Sequence, residues 1–438
     1  MRDPDTMQPF RERRARLLGA MPQGVLVLFS TPTAIRNNDV EHEYRQSSDF
    51  FYLTGYDEPE SVLVLSSTAE KDKFVLFVRP RDPERETWDG RRAGVEGAVA
   101  EFGADAAYPI AELAQRLPEL LLGATELHHA IGRHREQDDV LFTALEGARR
   151  RGRRGAVYPT RLVDAEVVLH ELRLFKQPEE LEIMRRAARI SGEAHLAAMK
   201  SAKPGVNECE IDALFRGIFR RAGCERPAYE PIVGSGPNAT ILHYRRNNRV
   251  MQDGELLLID AGCELDYYAS DVTRTFPVSG RFSPEQRAIY EIVLRAQESA
   301  IARAKVGATL DEVHLASAEV ITRGLLELGL IDGPFEEALA EQRYKTYYMH
   351  KCSHWLGMDV HDVGAYYEGG KGRPLQPGMV LTVEPGIYVS EHATGAAERY
   401  RGIGVRIEDD VLVTESGNEV LTEHIPRTVD AVERACQS

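Results

Sequence analysis

The chain has 438 residues, 43% of them hydrophobic and 28% charged, which is ordinary for globular protein. A net charge of -15 speaks against a nucleic-acid binder, whose footprint would be a basic patch. No apolar run reaches the ~18 residues that span a bilayer, so the expected setting is soluble and cytoplasmic.

At roughly 100–200 residues per domain, this length suggests two or three domains. Five cysteines, Cys209, Cys224, Cys263, Cys352 and Cys436, form no CxxC pair. Their odd number closes no disulfide framework, which suits a reducing compartment, and their spacing does not suit a zinc–thiolate site.

Residues 1 to about 172 alternate strand-like and helix-like signals. Val25–Ser30, Ser61–Ser66 and Lys73–Val78 are short, β-branched runs bounded by turn residues and read as buried strands. Ile110–Leu121 and Asp138–Arg151 carry apolar residues at three- and four-residue spacing and read as helices. The result is an α/β domain without GxGxxG or a P-loop. A boundary follows near Leu172–Pro178, where Pro178 with Glu179, Glu180 and Glu182 predicts the start of a helix.

Residues 173–438 echo themselves. Met251-Gln-Asp-Gly-Glu-Leu-Leu-Leu-Ile-Asp-Ala-Gly262 aligns without gaps to Leu375-Gln-Pro-Gly-Met-Val-Leu-Thr-Val-Glu-Pro-Gly386. A second pair, at Lys203–Ile211 and Lys305–Val313, precedes them, each opening an amphipathic helix. An α+β domain of two related halves is predicted, and the repeat alone speaks only to architecture.

The repeat places Asp260 and Glu384 at matching strand ends. Each has a partner further on, Asp271 and Glu408, in strand-like apolar runs. Burying an unpaired charge is costly, and Arg274 and Arg406 are too few to neutralise four acids. Divalent cations are the economical answer, with imidazole from the turn that holds His350, His354 and His361. Two metals ~3.5–4 Å apart can share a hydroxide that attacks a carbonyl at neutral pH. Salt-bridged strand-end acids and packed core histidines are the alternative.

Three segments resemble the pita-bread metallopeptidases, and within them aminopeptidase P. They are Ser353-His-Trp-Leu-Gly-Met-Asp-Val-His-Asp-Val-Gly364, Val383-Glu-Pro-Gly-Ile-Tyr388 and Arg401-Gly-Ile-Gly-Val-Arg-Ile-Glu-Asp-Asp410. Tyr44-Arg-Gln-Ser-Ser-Asp-Phe-Phe-Tyr-Leu-Thr-Gly55 and Arg91-Arg92 extend the likeness to the N-terminal domain.

The resemblance implies removal of a first residue that precedes proline. It implies Asp260, Asp271, His354, Glu384 and Glu408 as ligands of two divalent ions, manganese first, with cobalt, iron or zinc compatible. It implies His243 and His361 beside the scissile carbonyl, Glu384 also as the base, and His350 lining the pocket. Arg406 would pair with Asp39 and Tyr366, while Trp88 and Tyr229 would offer apolar walls to a proline ring. A homodimer or homotetramer follows from the family pattern. Prolidase, limited to Xaa-Pro dipeptides, and a non-catalytic module of the same fold are the competing readings.

Overall fold

The computed structural model describes residues 4–437 and divides into two compact units, Met1–Leu172 and Arg173–Ser438. Among the described residues no helix is long and apolar enough to cross a membrane.

The first unit is built on a six-stranded mixed sheet in the order Ala106–Pro109, Phe74–Val78, Val62–Ser66, Gly24–Phe29, Glu126–His128, Arg161–Val163. Its three central strands run antiparallel to their neighbours among themselves, and the outer pairs are parallel. The central strands are almost wholly buried, which is why they read as continuous apolar runs rather than alternating ones. Val25, Val27, Val62, Val64, Val75 and Phe77 pack with Leu117 and Leu141 of the helices Leu113–Leu120 and Arg135–Gly152.

In the second unit the two predicted halves each supply a pair of long helices and a three-stranded antiparallel sheet. The helices Pro178–Ser201 and Glu208–Arg221 belong to the first half, and Pro284–Arg303 and Leu310–Glu327 to the second. The echo at Lys203 and Lys305 turns out to encode helix starts. Asn207 with Glu210, and Thr309 with Glu312, close capping boxes at matching places.

Strand register explains the spacing of the acids. The strand Leu256–Asp260 pairs with Thr273–Pro277 so that Asp260 faces Thr273. The strand Val380–Val383 pairs with Asp409–Thr414 so that Val383 faces Asp409. In each half, the end of one strand is thereby set beside the residues just before the next. Asp260 meets Asp271 and Glu384 meets Glu408.

The halves are joined by a wholly buried ion pair, Arg274 Nη2 to Asp409 Oδ1 at 2.7 Å. Arg274 also donates to the carbonyl of Glu408 at 2.6 Å, while Asp409 accepts from Gln297 and Thr422, both at 2.6 Å. The glycines that end the two echoes permit close approach. A Cβ on Gly262 would overlap the Ser270 carbonyl, and one on Gly386 would press on the Val405 carbonyl and the Tyr388 hydroxyl. Gly262→Ala should therefore lose about 1–3 kcal/mol of stability or more, read as a lower thermal midpoint. An unchanged midpoint would show that the backbone can yield there.

Candidate metal centre

The strand ends converge on a cavity of about 670 Å³ in the second unit, lined by Asp260, Asp271, His354, Glu384 and Glu408. Only Asp260 lies within a strand. Asp271, Glu384 and Glu408 stand in the irregular backbone next to strands, not inside the runs as the sequence pattern suggested. Departure from the pleat lets carboxylates from different strands turn to one point, which strict alternation would prevent.

Ligand atoms of Asp271, His354 and Glu408 all lie within 4.8 Å of one another. His354 Nε2 sits 3.4 Å from Asp271 Oδ2 and 3.6 Å from Glu384 Oε1. Its Nδ1 is 3.0 Å from the Trp355 carbonyl, an arrangement that puts the proton of the neutral ring on Nδ1 and leaves Nε2 as a lone pair toward the acids. The ring is held by the backbone: His354 N donates to Thr382 Oγ1, and Thr382 N donates to the His354 carbonyl.

The electrostatics are those of a site short of positive charge. Burial pushes the Glu384 carboxyl up to about 7, although His354 and Arg406 pull it down. Burial, with Asp271, Glu384 and Asp260 nearby, drives Glu408 well above the usual carboxylate range. Asp260 is raised by burial despite Arg406. Burial opposes charge on His354, yet its hydrogen bond to Asp271 and the charges of Glu384 and Asp271 prevail and push it up to about 9. Four acids around one imidazole, with protons held against their ordinary tendency, form a donor set that fits divalent cations.

Arg406 is spent inside this network. Its Nη2 donates to Asp260 Oδ2 at 2.6 Å, its Nε to Thr273 Oγ1 at 3.1 Å and its Nη1 to the Tyr388 hydroxyl at 2.9 Å. The expected pairing with Tyr366 does not occur: the Tyr366 hydroxyl accepts from Trp355 N, and its ring stacks on Trp355. Tyr388 takes the place foreseen for Tyr366 and hands the chain on to His350 Nε2 at 2.9 Å. His350 Nδ1 lies 2.8 Å from the Lys351 carbonyl, and burial with the Arg406 charge lowers the ring to about 3. His350 is thus a neutral acceptor at the end of the chain Asp260–Arg406–Tyr388–His350.

Tyr229 is more than an apolar wall. Its hydroxyl lies 2.5 Å from both Asp260 Oδ1 and Asp271 Oδ1, and burial raises it well above the ordinary tyrosine range. Thr273 Oγ1 donates to Glu408 Oε2 at 2.6 Å. Period-two spacing could have found Thr273, two residues after Asp271; nothing local marks Tyr229 or Tyr388. His243 and His361 line the same cavity. The His361 ring stacks on His354 with centroids 4.0 Å apart, and burial followed by the His354 charge lowers it. Asp39 and Trp88 belong to the first unit, Asp39 in the turn between Ile35–Asn37 and Val40–Glu41, Trp88 85% exposed on Pro83–Asp89.

Residues 182–415 match the model of metallopeptidase family M24, and residues 10–128 match the aminopeptidase P N-terminal domain. The chain belongs to metallopeptidase family M24. It is 44% identical to the Xaa-Pro aminopeptidase of Escherichia coli over 97% of both chains. It is 36% identical to human Xaa-Pro aminopeptidase 3, covering 94% of this chain and 80% of that one. The solved structure of Pseudomonas aeruginosa aminopeptidase PepP superposes with a TM-score of 0.96 at 48% identity, covering 100% and 98% of the two chains. A zinc-substituted E. coli aminopeptidase P in complex with product superposes with a TM-score of 0.94 at 43% identity, covering 98% of each chain. The M24 fold is the pita-bread architecture expected, and the family implies divalent metal ions.

Arg406→Ala would remove the charge that holds Asp260 down. The Asp260 carboxyl should then keep its proton to higher pH, so the acid limb of metal loading and of turnover should move upward. Breaking this buried pair should also cost about 3–5 kcal/mol of stability. A pH–rate profile and a thermal scan check both, and an unmoved acid limb would take Arg406 out of the account.

Proposed function

We infer that this chain is an Xaa-Pro aminopeptidase, hydrolysing the bond between an N-terminal residue and a following proline. The observation that carries the reading is the convergence of four carboxylates and the Nε2 of His354 in one cavity with His243, His350 and His361. Full-length likeness to Xaa-Pro aminopeptidases supports the substrate class over prolidase. A complete donor set argues against a non-catalytic module.

Asp260, Asp271, His354, Glu384 and Glu408 would hold two cations. Oxygen-rich ligation with one imidazole favours manganese and also suits cobalt, iron or zinc. The metals, when bound, supply Lewis acidity that makes water a nucleophile at neutral pH and polarises the scissile carbonyl. Glu384 accepts the proton of the attacking water and returns it to the proline nitrogen as the carbon–nitrogen bond breaks. His243 and His361 steady the oxyanion, a contribution of roughly 3–4 kcal/mol for one such donor. The proline nitrogen has no hydrogen, so the site must read the ring and the tertiary amide instead. Asp39 and Trp88 of the N-terminal α/β domain are assigned to the substrate side on the family resemblance. An odd number of cysteines without CxxC spacing supports a cytoplasmic setting, and the resemblance supports a homodimer or homotetramer.

The test is cleavage of Xaa-Pro dipeptides and Xaa-Pro-Yaa tripeptides by chelator-stripped protein, with and without Mn²⁺. Manganese-dependent release of the first residue from both lengths is expected. Dipeptide-only cleavage would mean prolidase, and inactivity with every metal would overturn the enzyme reading.

A further inference from the structure

The cavity wall that carries His243 is a long connection between the strand Ile232–Ser235 and the strand Leu256–Asp260. His243 itself is exposed toward the cavity, on backbone with no helix or sheet to stiffen it. Unordered backbone carries roughly 1–2 kcal/mol of conformational freedom per residue, so something else must hold this segment in place.

That something is Glu208, the first residue of the helix Glu208–Arg221. An acid at a helix start ordinarily faces water and the helix dipole. Glu208 is instead completely buried and turned back onto the connection. Its Oε1 accepts from Ser235 N at 2.7 Å, Ser235 Oγ at 2.7 Å and Asn238 Nδ2 at 3.1 Å. Its Oε2 accepts from the Tyr244 hydroxyl at 2.8 Å and Arg249 N at 2.9 Å. A carboxylate offers about four lone-pair sites, so five donors leave it no capacity for another partner.

All five donors lie between Ser235 and Arg249. The Ser235 and Arg249 bonds close residues 235–249 of the connection into a loop, and Arg249 Nη1 reinforces the closure by donating to Ser235 Oγ at 3.0 Å. Asn238 fixes the turn Gly236–Thr240. Tyr244 fixes the residue next to His243, and its ring is buried at 8% exposure beside Leu258 and Tyr388. The carboxylate therefore gathers both ends and the apex of one loop, and the apex contact is one peptide bond from the histidine.

We propose that Glu208 is a positioning residue for His243, acting through the Tyr244 hydroxyl to fix where that imidazole meets the substrate carbonyl. The proposal rests on the reading of His243 as a substrate histidine. Glu208 does not line the cavity that holds the metal ligands, and its bonds reach the site through the loop that carries His243. Misplacing a catalytic group by about 1 Å can cost on the order of 10²-fold in rate, so a small loosening of this anchor is measurable.

The experiment is a double-mutant cycle on the Mn²⁺-loaded enzyme with an Xaa-Pro-Yaa tripeptide. Tyr244→Phe keeps the ring and removes only the hydroxyl; His243→Ala removes the group it is said to aim. Tyr244→Phe is expected to lower kcat about tenfold or more, with KM and metal content little changed. In the His243→Ala background the same change should have no further effect on kcat, because coupled residues are not additive. Glu208→Gln, which turns an amide toward some of the five donors, should follow the same pattern with a lower thermal midpoint. Equal losses from Tyr244→Phe in both backgrounds, or no loss in either, would overturn the proposal. Full activity of His243→Ala alone would overturn the role of His243 itself, and the anchor with it.

Discussion

Four carboxylates line one cavity, and the guanidinium of Arg406 is bonded to one of them. Burial disfavours carboxylate charge, repulsion among the acids adds to it, and the unaided protein answers by holding protons that carboxylates normally give up. Glu384 pushed up to about 7 and His354 to about 9 are two expressions of that single constraint. Divalent cations relieve it more fully than protons, because each delivers two charges to several oxygens at once. In this sense the metal requirement is set by where the strands end before any chemistry is considered.

Holding such a cluster together requires a stiff frame, and the frame is polar as well as apolar. Arg274 and Asp409 cross between the halves at zero exposure and fix the Glu408 carbonyl. Thr275 Oγ1 donates to the Arg406 carbonyl at 2.9 Å, and Asp410 accepts from Asp271 N. Three of the cavity histidines, His243, His354 and His361, sit on irregular backbone and are steadied through the residue that follows. Trp355, wholly buried, follows His354. Asp362, paired with Arg173 at 2.6 Å and Lys176 at 2.8 Å, follows His361. Tyr244, on Glu208, follows His243. Reactive side chains reach the cavity while the adjacent residue stays in the core.

Much of this was legible in the amino-acid order because the duplication repeats a local pattern. Glycine turn, apolar strand, acid, spacer and glycine occur twice, and short-range periodicity is enough to place Asp260 and Glu384 at strand ends. Their neighbours Asp271 and Glu408 follow from antiparallel return. The partners of Arg406 were not legible, since they depend on pairing between segments 146 and 133 residues apart. Tyr366 and Tyr388 look alike in sequence; only the register of Gly386–Tyr388 against Gly404–Arg406 brings Tyr388 to the guanidinium. Tyr229 read as an apolar wall because nothing local shows where a phenol hydroxyl will end.

The central claim is that cations take the place of protons in the carboxylate cluster. Calorimetric titration of Mn²⁺ into chelator-stripped protein near pH 7, in two buffers of different ionisation enthalpy, counts the protons released. His354 and Glu384 must give theirs up on loading, so proton release is predicted, with apparent affinity rising through the Glu384 value of about 7 and on to the His354 value of about 9. Binding that releases no protons and is indifferent to pH would contradict the account.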